Sequence, residues 1–364
     1  MVKRLHVALV YNMKKEIVDE VSIRDGGRDE EEGEIAIRTG TELQQTRPDT
    51  YAEWDTEDTI LAVKAALEER HVVTMIEANE EAFQKVLQVQ PEIVFNIAEG
   101  LRGASREAQM PAILEMLGIP YTGSDPVTLG ICLDKSRAKE ILSYYNVPTP
   151  AFQVLTSLDQ LRDFAITLPC IVKPLHEGSS KGVLDSSIVR TREELRTQVE
   201  RVLTDYDEPA LVERFLSGRE FTVALLGNGP TLRVLPVIEL LLDRLPKGAN
   251  PIYSYEAKWM WDQSDHPIEM YQCPARIEPE LEHRIQLVCR QAFEVLRCRD
   301  WCRIDVRLDE FGNPNIIELN PLPGILPNPD DHSAFPMAAR HGGLPYNAML
   351  NAVLDAAVVR TGLI

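Results

Sequence analysis

The sequence has no apolar run near the ~18 residues that a membrane-spanning helix needs, so membrane insertion is not expected. It is also short of positive charge. Lys and Arg total 38 against 57 Asp and Glu, a formal net charge of −19. So acidic a surface repels phosphate backbones and anionic lipid, which argues against nucleic-acid and membrane partners. An anionic small molecule would need a locally basic pocket. Zinc spacing is missing too. Cys132, Cys170, Cys273, Cys289, Cys298 and Cys302 are scattered, and the pair four residues apart, Cys298 and Cys302, has no nearby His or second Cys pair. They read as buried free thiols of a reducing, cytoplasmic compartment. No internal repeat or low-complexity linker separates the parts. The N-terminal LHVALVY is followed by a basic polar segment without a small-residue cleavage site, and is read as a first strand rather than a signal peptide.

What is present fits a globular enzyme of several units. At ~150 residues per domain, 364 residues predict two or three domains. After the first strand, residues 13–55 are acidic and poor in apolar side chains, and read as a long loop or an extra hairpin over 34–40. TEDTILAVKAALEERH then predicts a helix with Ile60, Val63, Ala66 and Leu67 on one face. HVVTMI, NEEAFQKVLQ, EIVFNIA and SREAQMPAILEMLG continue a strand–helix alternation, which predicts a parallel sheet covered by helices. A second unit is expected from DKSRAKEILSYYN. A third is expected from ALVERFL to the end, with antiparallel signals in FTVALLGNG, TLRVLPVIEL and WCRIDVRLDEFGNPNIIELN.

The last of these segments carries the clearest chemistry. With the turn at Phe311 and Gly312, symmetric pairing sets Arg303 opposite Asn320, Asp305 opposite Glu318, Ile304 opposite Leu319 and Val306 opposite Ile317. Side chains alternate along a strand, so Arg303, Asp305, Glu318 and Asn320 share a face. Two opposed carboxylates repel each other unless a cation joins them, and an all-oxygen set suits magnesium. The alternative is a solvated polar face.

Three further segments are suggestive. In IVKPLHEGSSKGV, Lys173 leads into a loop of small residues whose N–H groups can approach phosphate oxygens, with Lys181 adding charge. An ordinary exposed turn has the same composition. In LVERFLSGREFTV, Glu213 to Leu216 end a strand and Glu220 follows, an arrangement able to read a planar base and a ribose, although such a segment taken alone is surface charge in most proteins. YSYEAKWMWD sets Lys258 among aromatics, as a lid or an interface patch would.

In this order, across about residues 91–345, these motifs resemble the ATP-grasp superfamily, most of all the D-alanine–D-alanine ligases. The resemblance implies an α/β fold of three units: a Rossmann-like domain over 1–128, a small central domain over 129–210 and a C-terminal domain over 211–364. It implies ATP between the last two, with two magnesium ions, manganese being an alternative. Lys135 of LDKSRAK and Lys173 match phosphate-binding lysines. Glu213, Arg214 and Leu216 match the adenine hinge, and Glu220 the ribose ligand. Lys258 matches the lysine near the γ-phosphate, and Asp305, Glu318 and Asn320 the metal ligands. Arg303 and the Gly324 N–H match the oxyanion donors, and Ser179 a serine near the first substrate.

The departures bear on the substrate. VYNMKKEIVDE replaces the family's glycine-rich first loop and its glutamate, NIAEGLRGASREAQ replaces a histidine-glycine segment, and Trp259 stands in place of a tyrosine. Glu99 and Arg106 are candidates to meet the first substrate, or else form a helix-capping salt bridge. His332 and Ser333 lie where the family binds the second substrate's carboxylate. The expected reaction is ATP-dependent amide formation through an acyl phosphate, from small-molecule carboxylate and amine substrates other than two D-alanines, by a homodimer. The alternatives are a D-alanine–D-alanine ligase with a rebuilt first-substrate pocket and a non-catalytic nucleotide-binding protein.

Overall fold

A computed structural model describes residues 3–14, 49, 51–100, 102–261 and 268–363. The hairpin expected over 34–40 and the far end of the expected lid, 262–265, lie outside the described residues. The chain order is β1 (His6–Tyr11), α1 (Glu57–Glu68), β2 (Val72–Glu77), α2 (Ala82–Val89), β3 (Ile93–Asn96) and α3 (Gln109–Leu117). Next come α4 (Pro126–Leu133), α5 (Lys135–Tyr144), β4 (Phe152–Leu155), β5 (Cys170–Pro174), β6 (Ile188–Val189), α6 (Arg192–Arg201) and β7 (Ala210–Arg214). The chain continues through β8 (Glu220–Leu226), β9 (Arg233–Val234), β10 (Ile238–Leu240), β11 (Tyr271–Gln272) and α7 (Pro279–Val295). It ends with β12 (Trp301–Leu308), β13 (Pro314–Asn320), α8 (Ala334–His341) and α9 (Tyr346–Thr361).

The described residues build three sheets. The first is parallel, in the order β2–β1–β3. Its inner strand β1 and the neighbouring β3 are buried, with α1 and α2 contributing to their cores, whereas the edge strand β2 is mostly half-exposed. Thr56 caps α1 by accepting from the Thr59 N–H, and Ile60, Val63, Ala66 and Leu67 are buried. The second sheet runs β4–β7–β5–β6 and is antiparallel throughout. The third runs β11–β10–β8–β12–β13, with β9 beside β8.

Two segments sit elsewhere than expected. The strand of ALVERFL, read as the start of the third unit, is β7, paired with β4 and β5 in the second sheet. Its Ala210 and Val212 are buried with Val172 and Leu155, a non-local pairing that no local pattern announces. DKSRAKEILSYYN forms α5, yet its apolar face, Ala138 and Leu142, packs with Phe221, Val223 and Ile304 of the third sheet. The first and third sheets also share a core. Leu9 and Phe95 cluster with Trp301, Phe335 and Met349, with Trp301 edge-on to both Phe95 and Phe335. This packing holds the ends of β1 and β3 against the loop that follows β13.

Candidate active site

The second and third sheets face each other across a cavity of about 390 Å³, closed at one end by the first sheet's loops. The hairpin β12–β13 forms its floor. The register is Arg303 opposite Asn320, Ile304 opposite Leu319 and Asp305 opposite Glu318, as the sequence predicts. Beyond Asp305 the register slips, and Val306 pairs with Ile316, not Ile317. The extra residue, Ile317, is a bulge next to the polar pair and lines the cavity.

The carboxylates on this floor are each held by cations. Arg303 donates to both oxygens of Asp305, at 3.2 and 3.0 Å, and Thr222 Oγ1 donates to Oδ1 at 2.7 Å. Asn320 Nδ2 donates to Asp305 Oδ2 at 3.3 Å. Glu318 Oε1 lies 3.1 Å from Lys135 Nζ. The side-chain oxygens of Asp305, Glu318 and Asn320 form a hard donor set that fits magnesium. Among the described residues no three His, Cys, Asp or Glu side chains converge as a complete site. A cation here therefore needs oxygens from its ligand and water, the usual state of protein-bound magnesium.

The lysines come from α5 and β5. Asp134 caps α5, accepting from the Ser136 and Arg137 N–H groups, which sets Lys135 on the first turn pointing into the cavity. Lys135 Nζ also donates to the Glu177 carbonyl at 2.5 Å. Lys173 Nζ lies 2.5 Å from Glu213 Oε2, and Lys139 Nζ lies 2.5 Å from Oε1. Burial opposes charge on Glu213, yet the two lysines hold its carboxyl down to about 2. Burial likewise opposes charge on Lys173, and Glu213 keeps it above the usual lysine range. Lys139 was not anticipated. Its spacing from Lys135 puts both on one helix face and was the available signal.

At the strand ends, Arg214 pairs with Glu310 of the hairpin turn, and Leu216 is buried against the cavity. Glu220 accepts from Arg307 NH1 at 2.7 Å, and these residues sit opposite each other on β8 and β12. Burial raises the Glu220 carboxyl above its usual range although Arg307 opposes this.

The small-residue loop 176–182 is built, not floppy. Ser179 and Ser180 take positive φ, 50° and 60°. Gly182 sits at φ +71°, where a Cβ would strike the Pro174 ring. His176 lies between Asp134 and Glu208, at 3.7 and 3.5 Å. Burial lowers its basicity, but the two carboxylates dominate and bring the imidazole up to about 9. Lys258 follows Ser254, whose carbonyl accepts the Lys258 N–H. Burial, with Arg303 nearby, brings its ammonium down to about 8. Trp259 Nε1 donates to the Ser179 carbonyl at 3.3 Å, so the lid segment touches the loop through backbone. Ser333 Oγ donates to the Gly324 carbonyl at 3.0 Å and accepts the Leu326 N–H, and so braces the turn that presents Gly324. His332 packs on Tyr271, with ring centroids 5.4 Å apart.

Glu99 lines the cavity, but Arg106 does not. Arg106 is buried behind the wall, with both Glu53 oxygens at 3.0 and 2.9 Å and the His176 carbonyl at 2.9 Å. It thus neither faces the cavity nor pairs within its own helix, contrary to both expectations. Glu53, like Lys139, is a residue that sequence reasoning missed. It comes from the end of the acidic stretch and also accepts from Lys181 Nζ at 3.1 Å and the Gly178 N–H at 2.9 Å.

Comparison with known proteins agrees with this geometry. Residues 141–355 match the family model described as "D-ala D-ala ligase C-terminus". The D-alanine–D-alanine ligase of Saccharophagus degradans is 35% identical over 289 residues, 78% of this chain and 83% of that one. The chain belongs to the D-alanine–D-alanine ligase family. As a member it is an ATP-dependent ligase of mixed α/β, ATP-grasp fold. An uncharacterised protein of Sinorhizobium fredii, y4sG, is 38% identical over 269 residues, covering 73% of this chain and 74% of its own. The Bacillus anthracis D-alanine–D-alanine ligase complexed with ATP superposes with a TM-score of 0.68, covering 99% of each chain at 20% identity, a likeness of fold alone. Among the described residues, no helix of this family member is long and apolar enough to cross a membrane.

Proposed function

We propose that this ligase joins a carboxylate donor to an amine acceptor through an acyl phosphate, with a donor other than D-alanine. The reading rests above all on the opposed pair Asp305 and Glu318, set on the same cavity as Lys135, Lys173 and Lys258. Opposed carboxylates at the floor and lysines around it suit a metal-bound triphosphate. Adenine would lie against the backbone of 213–216 and Leu216, the ribose against Glu220, and the phosphates against Lys135, Lys173 and Lys258. Glu213 would act by fixing Lys139 and Lys173. Asp305, Glu318 and Asn320 would hold magnesium, which supplies charge neutralisation for the phosphoryl oxygens.

A donor carboxylate oxygen attacks the γ-phosphorus, and ADP leaves. The neutral amine nitrogen of the acceptor then attacks the acyl carbon, the C–O bond to phosphate breaks, and the leaving phosphate takes up the proton that the nitrogen loses. Arg303 and the Gly324 N–H would receive the negative charge that develops on the acyl oxygen. Ser179 and Glu99 face the donor, and His332 and Ser333 the acceptor's carboxylate. A donor different from D-alanine is favoured by Trp259, which cannot accept a hydrogen bond, and by Glu53 being taken up in ion pairs. A second reading, joining two D-alanines, is favoured by the names of the relatives at 35% identity.

The test is phosphate release with single and paired amino acids, MgATP present. We expect turnover with a different donor plus a small amino-acid acceptor, and poor turnover with D-alanine alone. Efficient release with D-alanine alone, at a KM within ~1 μM–1 mM, would establish the second reading.

Lys258 makes a pH prediction. Its folded-state pKa of about 8 means that it is a cation below pH 8 and neutral above. Phosphate attraction is therefore present at pH 7 and lost as pH rises. ATP affinity should weaken from about pH 8 upward, and Lys258→Arg should flatten that limb, since arginine stays charged. An identical pH profile in the arginine variant would remove Lys258 from the nucleotide site.

A further inference from the structure

The cavity has an acidic end that the nucleotide chemistry does not use. Five carboxyl side chains line it: Glu53, Asp55, Glu99, Glu107 and Glu177. Two of them are balanced by protein cations. Glu53 pairs with Arg106 and Lys181, and Glu177 lies 2.5 Å from Lys181 and 3.5 Å from Arg106. Asp55, Glu99 and Glu107 have no ion pair or side-chain hydrogen bond among the described residues. Glu107 is nine-tenths buried, at 9% exposure, and lines the cavity with no partner among the described residues. Burial pushes Asp55 up to about 7 and Glu107 up to about 8, and burial with Glu107 beside it raises Glu99 well above the carboxylate range. Three cavity-lining carboxyls with no cation paired to them among the described residues leave room for a ligand that brings positive charge of its own.

Their spacing limits what that ligand is. No three of them gather as a metal site. Asp55 and Glu99 border a small side chamber beside Gly324, which Glu107 does not line. Carboxylates strung along a wall suit an extended cation, not a point ion. A single ammonium reaches one end of the row and leaves the other acids unbalanced.

We propose that this acidic end selects a carboxylate donor with two cationic groups, an α-ammonium and a side-chain ammonium or guanidinium. The inference rests on the ligase reading above, since it places the donor beside Gly324 and Ser179. Glu99 and Asp55 receive one cationic group and Glu107 the other. Glu53, Arg106 and Lys181 form the fixed wall behind them.

The experiment compares isosteres by calorimetry, on the full chain loaded with magnesium and a non-hydrolysable ATP analogue. Lysine is set against norleucine and arginine against citrulline, each as both enantiomers. We expect at least one cationic member to bind about tenfold or more tighter than its neutral isostere, a difference that one well-formed charge contact supplies. Glu107→Gln and Glu99→Gln should each reduce that ratio, with melting temperature reporting that the variants fold. If a variant fails to fold, the wild-type ratio still decides. Equal or tighter binding of the neutral isosteres overturns the inference, as does failure of all four to bind. Phosphate release with neutral donors would overturn it while leaving the ligase reading intact. Loss of the ligase reading would show instead as failure to bind the nucleotide analogue.

Discussion

Replacing Glu318 by glutamine is expected to cut phosphate release by at least ~10²–10³-fold, the range seen when a single group stabilising transition-state charge is removed. ATP binding should stay measurable. Glu318 is directly opposite Asp305 in the β12–β13 ladder, and its oxygen lies 3.1 Å from Lys135. In the free protein the lysine and Arg303 relieve the repulsion between the two carboxylates. With a magnesium-bound triphosphate the carboxylates would hold the cation, and the lysine would be free to meet the phosphates. Glutamine keeps the volume and one oxygen but loses the charge, so the fold should survive. The like-charge opposition to Asp305 is removed and the pair with Lys135 is lost, two effects of opposite sign, so the melting temperature is read alongside the rate to show that the variant folds. Lys173 and Lys258 would still attract phosphate, so nucleotide affinity should persist. Higher magnesium should restore part of the rate. Near-normal phosphate release from Glu318→Gln, or a rate indifferent to magnesium, would sink the metal assignment.

The floor of this site was readable because β12 and β13 are neighbours in sequence. A short turn fixes their pairing, and alternation then assigns faces. The reading failed one residue past Asp305, where the bulge at Ile317 shifts the register, because a bulge depends on what the strand packs against. It also missed the other side of the floor. β8 sets Thr222 against Asp305 and Arg307 against Glu220, and a pairing across 80-odd residues leaves no local trace. The parallel first sheet was legible from its strand–helix rhythm. The placement of β7 in the second sheet was not, since a strand buried from Ala210 to Glu213 shows no alternation to say which sheet it joins. Arg106 illustrates the same limit. It was singled out as a candidate, but neither expected role holds, because its partner lies in the acidic stretch, where an isolated glutamate looks like solvated surface.

Glu53 is that partner, and its substitution should be the most damaging change outside the floor. It accepts two bonds from Arg106, one from Lys181 and one from the Gly178 N–H, all at 2.9 to 3.1 Å. Its side chain is 9% exposed, and those of Arg106 and Lys181 are 7% and 5%. Loop and glutamate fit so closely that a Cβ on Gly178 would strike Glu53 Oε1. Glu53→Gln leaves two buried cations facing an amide, and breaking such a pair costs about 3–5 kcal/mol. Glu177 recovers part of this by keeping its own contacts with Lys181 and Arg106. Burial opposes charge on Glu53, but the two cations prevail and hold its carboxyl down to about 2, from an ordinary 4.5. A depressed folded-state value means that the stabilisation is present above pH 4.5 and is lost as pH falls toward 2. The glutamine variant should therefore melt roughly 5 °C or more below wild type at pH 7, with the gap closing as the medium is acidified. It should also bind ATP more weakly, because the loop that carries Ser179 and Lys181 loses its anchor. Arg106→Met in the same chain should recover part of the lost stability by removing a stranded charge. Equal melting of Glu53→Gln and wild type at pH 7, or a gap that widens in acid, would show that the anchor contributes nothing to the folded state.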